Sequence, residues 1–168
     1  MTAQDKPSQR VLAIDPYLRG FGWALLEGPD LLVDWGIYQT RTKRPERALG
    51  RIATLLHRYV PHVVVIEDTH HPQCHRRERA RALISEIRDM AKSADVDVRA
   101  VAMEDVREHY RAIGAKSKDA TARLVVDRFP ELAPILPPRR KNWMREDERM
   151  AVFDAIAMTL MVTRDPQP

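Results

Sequence analysis

"VLAIDPYLRGFGWALLE", residues 11–27, runs four apolar residues into an acid, Asp15, and then reaches Gly20 and Gly22 within seven positions. Short apolar runs at Val11–Pro16, Phe21–Gly28 and Leu31–Thr40 are separated by the turn residues "RG" and "GPD", so this part of the chain reads as an antiparallel meander of three strands. Asp15 then stands at the end of the first strand. A carboxylate there fits a turn residue, a phosphate-loop residue or a metal ligand, and the choice depends on what the rest of the chain brings beside it.

Outward from the meander, "PERALGRIATLLHRYV" (45–60) has Pro45 at its start and apolar residues at Leu49, Ile52, Leu55, Leu56 and Tyr59, the spacing of an amphipathic helix. "HVVVIEDT" (62–69) is a continuous β-branched run. Such a strand is buried on both faces and lies in the middle of a sheet. A charged helix over about 76–92 and a strand over 96–103 follow. Two helices, "MEDVREHYRAIG" (103–114) and "SKDATARLVVDRF" (117–129), break at Gly114, with Ser117 as the N-cap of the second. Residues 130–145 hold four prolines and the cations Arg139, Arg140 and Lys141 beside Trp143, which predicts a Pro-rich basic loop centred on 133–145. The last helix is expected over about 145–163. The order β-β-β-α-β-α-β-α-α-α predicts an α/β fold, a mixed five-stranded sheet flanked by helices, in one domain spanning 1–168 with residues 1–9 outside its ordered part.

Composition narrows the partners. The 168 residues hold 28 Lys and Arg against 24 Asp and Glu, a net charge of +4 that leans towards nucleic acid. A single cysteine, Cys74, excludes an intrachain disulfide and fits a reducing compartment. No apolar run approaches the roughly 18 residues of a membrane span, and the polar start lacks the features of a signal peptide, so a cytoplasmic protein without membrane contact is expected.

The chemistry lies where acids interrupt apolar structure. Asp15 ends the first strand, Glu67 ends the central one, and Asp154 sits inside "MAVFDAIAMTLM" (150–161). A lone charge in such a place is costly unless it is paired or coordinated. Adjacent central strands place Asp15 beside Glu67, and a helix laid across them brings in Asp154. Three clustered carboxylates raise one another's pKa unless a cation neutralises them. Oxygen-only ligands select hard ions, magnesium or manganese, and two such ions about 4 Å apart hydrolyse phosphodiesters. Asp15, short and on a central strand, is the expected bridge between them.

At these residues the chain resembles the RuvC-type Holliday-junction resolvases of the RNase H-like superfamily. "AIDPYLRGFGWAL" is similar to the family's first motif, "VVIEDT" to its second, and "FDAIAMTL" to its third, the Asp-Ala step of the C-terminal helix. "AIGAKSKDATARLVV" (112–126) resembles the family's Gly-x-Ala-x-Lys segment near the DNA. The likeness runs from about Val11 to Leu160. It implies a metal-dependent endonuclease that cuts branched DNA such as Holliday junctions, using two Mg2+ or Mn2+ ions per site and working as a homodimer. The alternatives are a nuclease of the same fold acting on RNA or RNA–DNA hybrid, and a non-catalytic nucleic-acid-binding protein.

Where the family usually has a further acid or histidine one turn before the helix aspartate, this chain has Met150 and Ala151. Asp147 is the nearest acid on the same helical face, about 20° off and about 10 Å along the axis in an ideal helix. It is therefore the expected fourth acid, assisting metal binding and catalysis beside Asp15, Glu67 and Asp154. His70 and His71 stand where the family tends to have an aromatic after the glutamate. Nucleic-acid contacts are expected from His70, Arg76 and Arg77, which follow the Glu67 strand. Lys116 and Lys118 at a helix N-terminus form a phosphate clamp, and Arg140 and Lys141 in the basic loop join them. "HHPQCH" (70–75) lacks the second ligand pair of a structural zinc site.

Overall fold

The computed structural model describes residues 8–42 and 44–164; the expectation for the first nine residues therefore lies mostly outside it. The meander forms as read, with β1 at Arg10–Tyr17, β2 at Gly20–Glu27 and β3 at Leu31–Gln39. Helix α1 (Pro45–Tyr59) starts on Pro45, and the β-branched run becomes β4 (Val63–Glu67). Then come α2 (Glu78–Ser93), β5 (Asp97–Val101), α3 (Met103–Ala112), α4 (Lys118–Arg128) and α5 (Met150–Arg164). The sheet order is β3-β2-β1-β4-β5, antiparallel in the meander and parallel from β1 through β4 to β5. It is the mixed five-stranded sheet that the order of elements predicts.

Alternation along the two central strands sorts their side chains between two cores. Leu12, Ile14, Val64 and Ile66 face the side covered by α1 and α2. Val11, Ala13, Val63 and Val65 face the side covered by α3, α4 and α5. With a period of two, Asp15 and Glu67 are the next members of the second series, one residue beyond the apolar stretch on each strand. β1 and β4 are paired in parallel from Val11↔Val63 through Ala13↔Val65, so the two acids end neighbouring strands at the same level. Ser117 caps α4 as expected, its Oγ accepting the Ala120 N–H at 3.1 Å. Gly114, at φ 98°, supplies the left-handed turn between α3 and α4.

Three boundaries differ from expectation, and each has a local cause. α2 starts at Glu78 rather than Arg76, because Arg76 turns back towards the acids. Pro130–Ile135 is a 3-10 turn and not a loop: Pro130 occupies its first position, where a missing N–H costs nothing, and Leu132 is fully buried beneath it. Only residues 136–149 are without helix or strand. α5 starts at Met150 rather than near Arg145, because the Asp147 carboxylate accepts the Arg149 N–H at 2.9 Å and turns the chain there. The two-turn separation of Asp147 from Asp154 along one helix therefore does not exist.

Helix α5 is buried over nearly its whole length and lies against β1, β2 and β4. Gly22, paired with Asp15 across the β1–β2 ladder, makes that approach possible: a Cβ there would stand 2.4 Å from the backbone carbon of Ala151. Gly22→Ala is expected to force α5 outward. Overpacking of this kind costs about 1–3 kcal/mol, and in a chain of this size about 2–8 °C in Tm. Thermal melts check the stability. The helix shift is checked by the loss of any activity that needs Asp154 beside Asp15, larger than the stability loss explains.

Candidate active site

At the ends of β1 and β4 and on the facing side of α5, Asp15, Glu67 and Asp154 open onto one cavity of about 470 Å3. Their exposures are only 4%, 5% and 8%. The sequence expectation that three distant segments deliver their acids to one place is met. Burial pushes the Asp15 carboxyl up to about 7, opposed by Arg76 and reinforced by the charges of Asp154 and Glu67. Asp154 is raised as well, by burial first, with Lys118 working against the rise.

Two side-chain cations hold this cluster together. Arg76 donates from Nε to Glu67 Oε2 at 2.5 Å, from Nη1 to the Pro16 carbonyl at 2.5 Å, and from Nη2 to Asp15 Oδ1. Lys118 donates from Nζ to Asp154 Oδ2 at 2.9 Å and to Glu146. Burial opposes the charge of both cations, yet the acids more than offset it and raise both pKa values. Four carboxylates are thus gathered in two pairs, each spanned by one positive group. Cys74 adds a weak donor to Glu67 Oε1 at 3.7 Å.

The acidic stretch 146–148 is sorted by its partners. Glu146 shares Lys118 with Asp154; Asp147 is gripped by Arg149 at 2.6 and 2.9 Å, which holds its carboxyl below the usual range; Glu148 accepts from Gln39 at the end of β3. Asp147 borders the cavity, but the acid linked to Asp154 is Glu146. Sequence spacing missed this because it assumed a continuous helix. It also missed the inward role of Arg76, read as a DNA contact, and of Lys118, read as a free phosphate clamp. A cation nine positions after a strand-ending acid, returning across a short loop, was the available signal. The other expected contacts, His70, Arg77, Lys116, Arg140 and Lys141, are exposed, and Lys141 lies 5.2 Å from the ring of Trp143, itself 80% exposed.

No family model matches the chain. Over 73 residues it is 41% identical to the crossover junction endodeoxyribonuclease RuvC of Synechocystis, a match covering 38% of this chain and 44% of that relative, less than half its length. In structure it is similar to Thermus thermophilus RuvC in complex with Holliday junction substrate, with a TM-score of 0.63, 19% identity and 90% of each chain covered. It is also similar to the yeast mitochondrial Holliday junction resolvase Ydc2, at TM-score 0.60 and 14% identity over 92% of this chain and 80% of that one. The fold is that of RuvC. The five-stranded RNase H-like sheet with helices on both faces, expected from the sequence, is the one these structures share. On it, the RuvC fold carries Asp15, Glu67 and Asp154 at the positions that the motif resemblance singled out.

The raised pKa of Asp15 has a stability consequence. The folded chain holds a proton there that the unfolded chain releases near its model value of 3.8, so folding takes up protons between about 4 and 7. The Asp15 contribution to stability therefore falls as pH rises through that window. Urea melts in chelator should show Asp15→Asn removing this fall and gaining on wild type towards pH 7. An unchanged pH dependence would mean that Arg76 fully ionises Asp15.

Proposed function

We propose that this chain is a divalent-metal-dependent endonuclease that cuts branched DNA such as Holliday junctions, and that it acts as a homodimer. The convergence of Asp15, Glu67 and Asp154 on one cavity carries the reading. The sequence likeness to a crossover junction endodeoxyribonuclease and the fold shared with junction resolvases support it. A junction with two-fold symmetry calls for paired cuts, and a C2 dimer supplies them.

The donor set fits hard cations in chemistry and in charge. Its ligands are carboxylate oxygens, and two positive side chains already balance them pairwise. Among the described residues no three His, Cys, Asp or Glu side chains converge closely enough to hold an ion as they stand, so Arg76 and Lys118 must turn aside first. Asp15 and Glu67 would hold one ion, and Asp154 with Glu146 a second, with Asp15 the bridge. When bound, such ions activate water and stabilise the leaving oxygen of a phosphodiester. The chain's own residues supply the rest: β1 and β4 fix two acids rigidly, α5 fixes the third, and Arg76 and Lys118 remain at the cavity wall to meet the charge of the phosphate.

The occupation of the acids by Arg76 and Lys118 favours one other reading, a nucleic-acid-binding protein of the same fold without catalysis. Labelled four-way junction, fork, duplex, single strand and RNA–DNA hybrid, each with Mg2+, Mn2+ or chelator, separate these. Metal-dependent symmetric nicks confined to the junction are expected, and Asp15→Asn, Glu67→Gln and Asp154→Asn should each abolish them while binding persists. Cleavage of hybrid alone would move the assignment to an RNA-directed nuclease.

Metal binding has its own readout. Breaking a buried pair by removing one partner costs about 3–5 kcal/mol, so Arg76→Met should lower Tm in chelator. Mn2+ should then recover more stability in the variant than in wild type, because ion and guanidinium no longer compete. No response of Tm to Mn2+ in either protein would favour the non-catalytic reading.

A further inference from the structure

Beside the acid cavity lies a second one of about 450 Å3, bounded by the β1–β2 turn, the segment from Thr40 to Ala48 and the first turns of α2. The two share a rim that includes Tyr17, Leu18, Arg19 and Arg76. Their chemistry is opposite. No acid lines the second cavity, while Arg19, Arg44, Arg77 and Arg79 stand exposed around it. Among the described residues none of these four arginines forms an ion pair. The floor is apolar: Ala48 is buried, Ala80 and Leu83 are half-buried, and Leu18, 62% exposed, projects from the shared rim.

Like charges gathered without partners raise the local potential and favour an anion. A bare phosphate would satisfy the guanidinium forks but leave the apolar floor without use. A duplex keeps its bases stacked on one another and is too wide to enter, so it meets only the rim. An unpaired nucleotide offers both faces required, a base to lie on the apolar floor and phosphates for the arginines. The volume falls in the range of about 300–1,000 Å3 typical of small-ligand sites.

We propose that the arginine-lined cavity binds one unpaired nucleotide of the strand whose phosphate enters the acid cavity. The placement of that phosphate rests on the nuclease reading; the nucleotide site itself does not. On a branched substrate this site selects strands that leave the duplex at the branch, since only they can present a free base next to the acids. Arg44 and Arg79 fix the phosphate on the far side from Asp15, and Leu18 lies against the base at the boundary between the two cavities.

The test uses wild-type protein in chelator, so that nothing is cut, with a short single strand carrying one 2-aminopurine and with the duplex of the same sequence. The single strand should bind with a change in 2-aminopurine fluorescence that the duplex lacks. Arg44→Glu combined with Arg79→Glu should weaken the single strand about tenfold and the duplex far less, a difference on the scale of one lost base-stacking site. Leu18→Ala should reduce the fluorescence change while leaving the dependence of affinity on salt unaltered, because it removes an apolar contact and no charge. Equal losses on single strand and duplex, or competition by polyglutamate as strong as by oligonucleotide, would overturn the proposal and leave a general anionic patch. Cleavage of the junction by wild type in Mg2+, measured separately, tells the two failures apart. Its absence with single-strand binding retained sinks only the nuclease reading, and its presence with no single-strand preference sinks only the nucleotide site.

Discussion

Three carboxylates buried at one point set the terms for everything around them. Removing an ionised carboxylate from water costs several kcal/mol even after the protein relaxes, and placing two more beside it adds repulsion. The chain keeps such a cluster because Arg76 and Lys118 reach into it from opposite sides, each shared between two acids. The position of these cations explains local structure elsewhere. The chain between β4 and α2 returns Arg76 over the strand ends, and Ser117 starts α4 so that Lys118, its first residue, faces Asp154.

The same constraint fixes the packing of α5. A helix carrying an acid in the middle of the core needs that acid to emerge at a strand end, not above the sheet's centre. Gly22 opens the contact with Ala151, and Ala24 continues the small surface on β2 against the apolar cluster that contains α5. Asp154, one turn further along than Ala151, then points to the ends of β1 and β4. The close backbone approach and the acid cluster are two consequences of one placement.

Much of this was legible from residue patterns. Strand alternation, the β-branched run at β4 and the all-apolar surroundings of Asp154 together led to the sheet, the central strands and the three acids. Those are long-period, redundant signals. The failures fall where one side-chain contact decides the backbone. The carboxylate of Asp147 ends the chain's irregular stretch by bonding the Arg149 N–H, and no periodicity reveals that α5 begins after it. Glu146, Asp147 and Glu148 are adjacent in sequence and equivalent in composition, yet Lys118, Arg149 and Gln39 assign them three different roles. Such assignments depend on which distant cation arrives, so they belong to tertiary structure alone. The Pro-rich stretch failed for a different reason. Prolines exclude an α-helix interior but suit a short 3-10 turn anchored by Leu132.

The net charge of +4 conceals the arrangement that matters for function, because charge of each sign is concentrated. Acids dominate one cavity and arginines its neighbour, with Arg76 on the rim common to both. An uncovered acid cluster would repel a polyanion from the place where its backbone must come to be cut. Arg76 and Lys118 mask that cluster in the free chain, while the arginines beside it attract the strand. As cations from solution take over the carboxylates, the masking side chains become free to meet phosphate oxygens at the same wall. Attraction, shielding and neutralisation thus follow in order from one set of charges, which is how a surface built around buried acids can receive a polyanionic substrate.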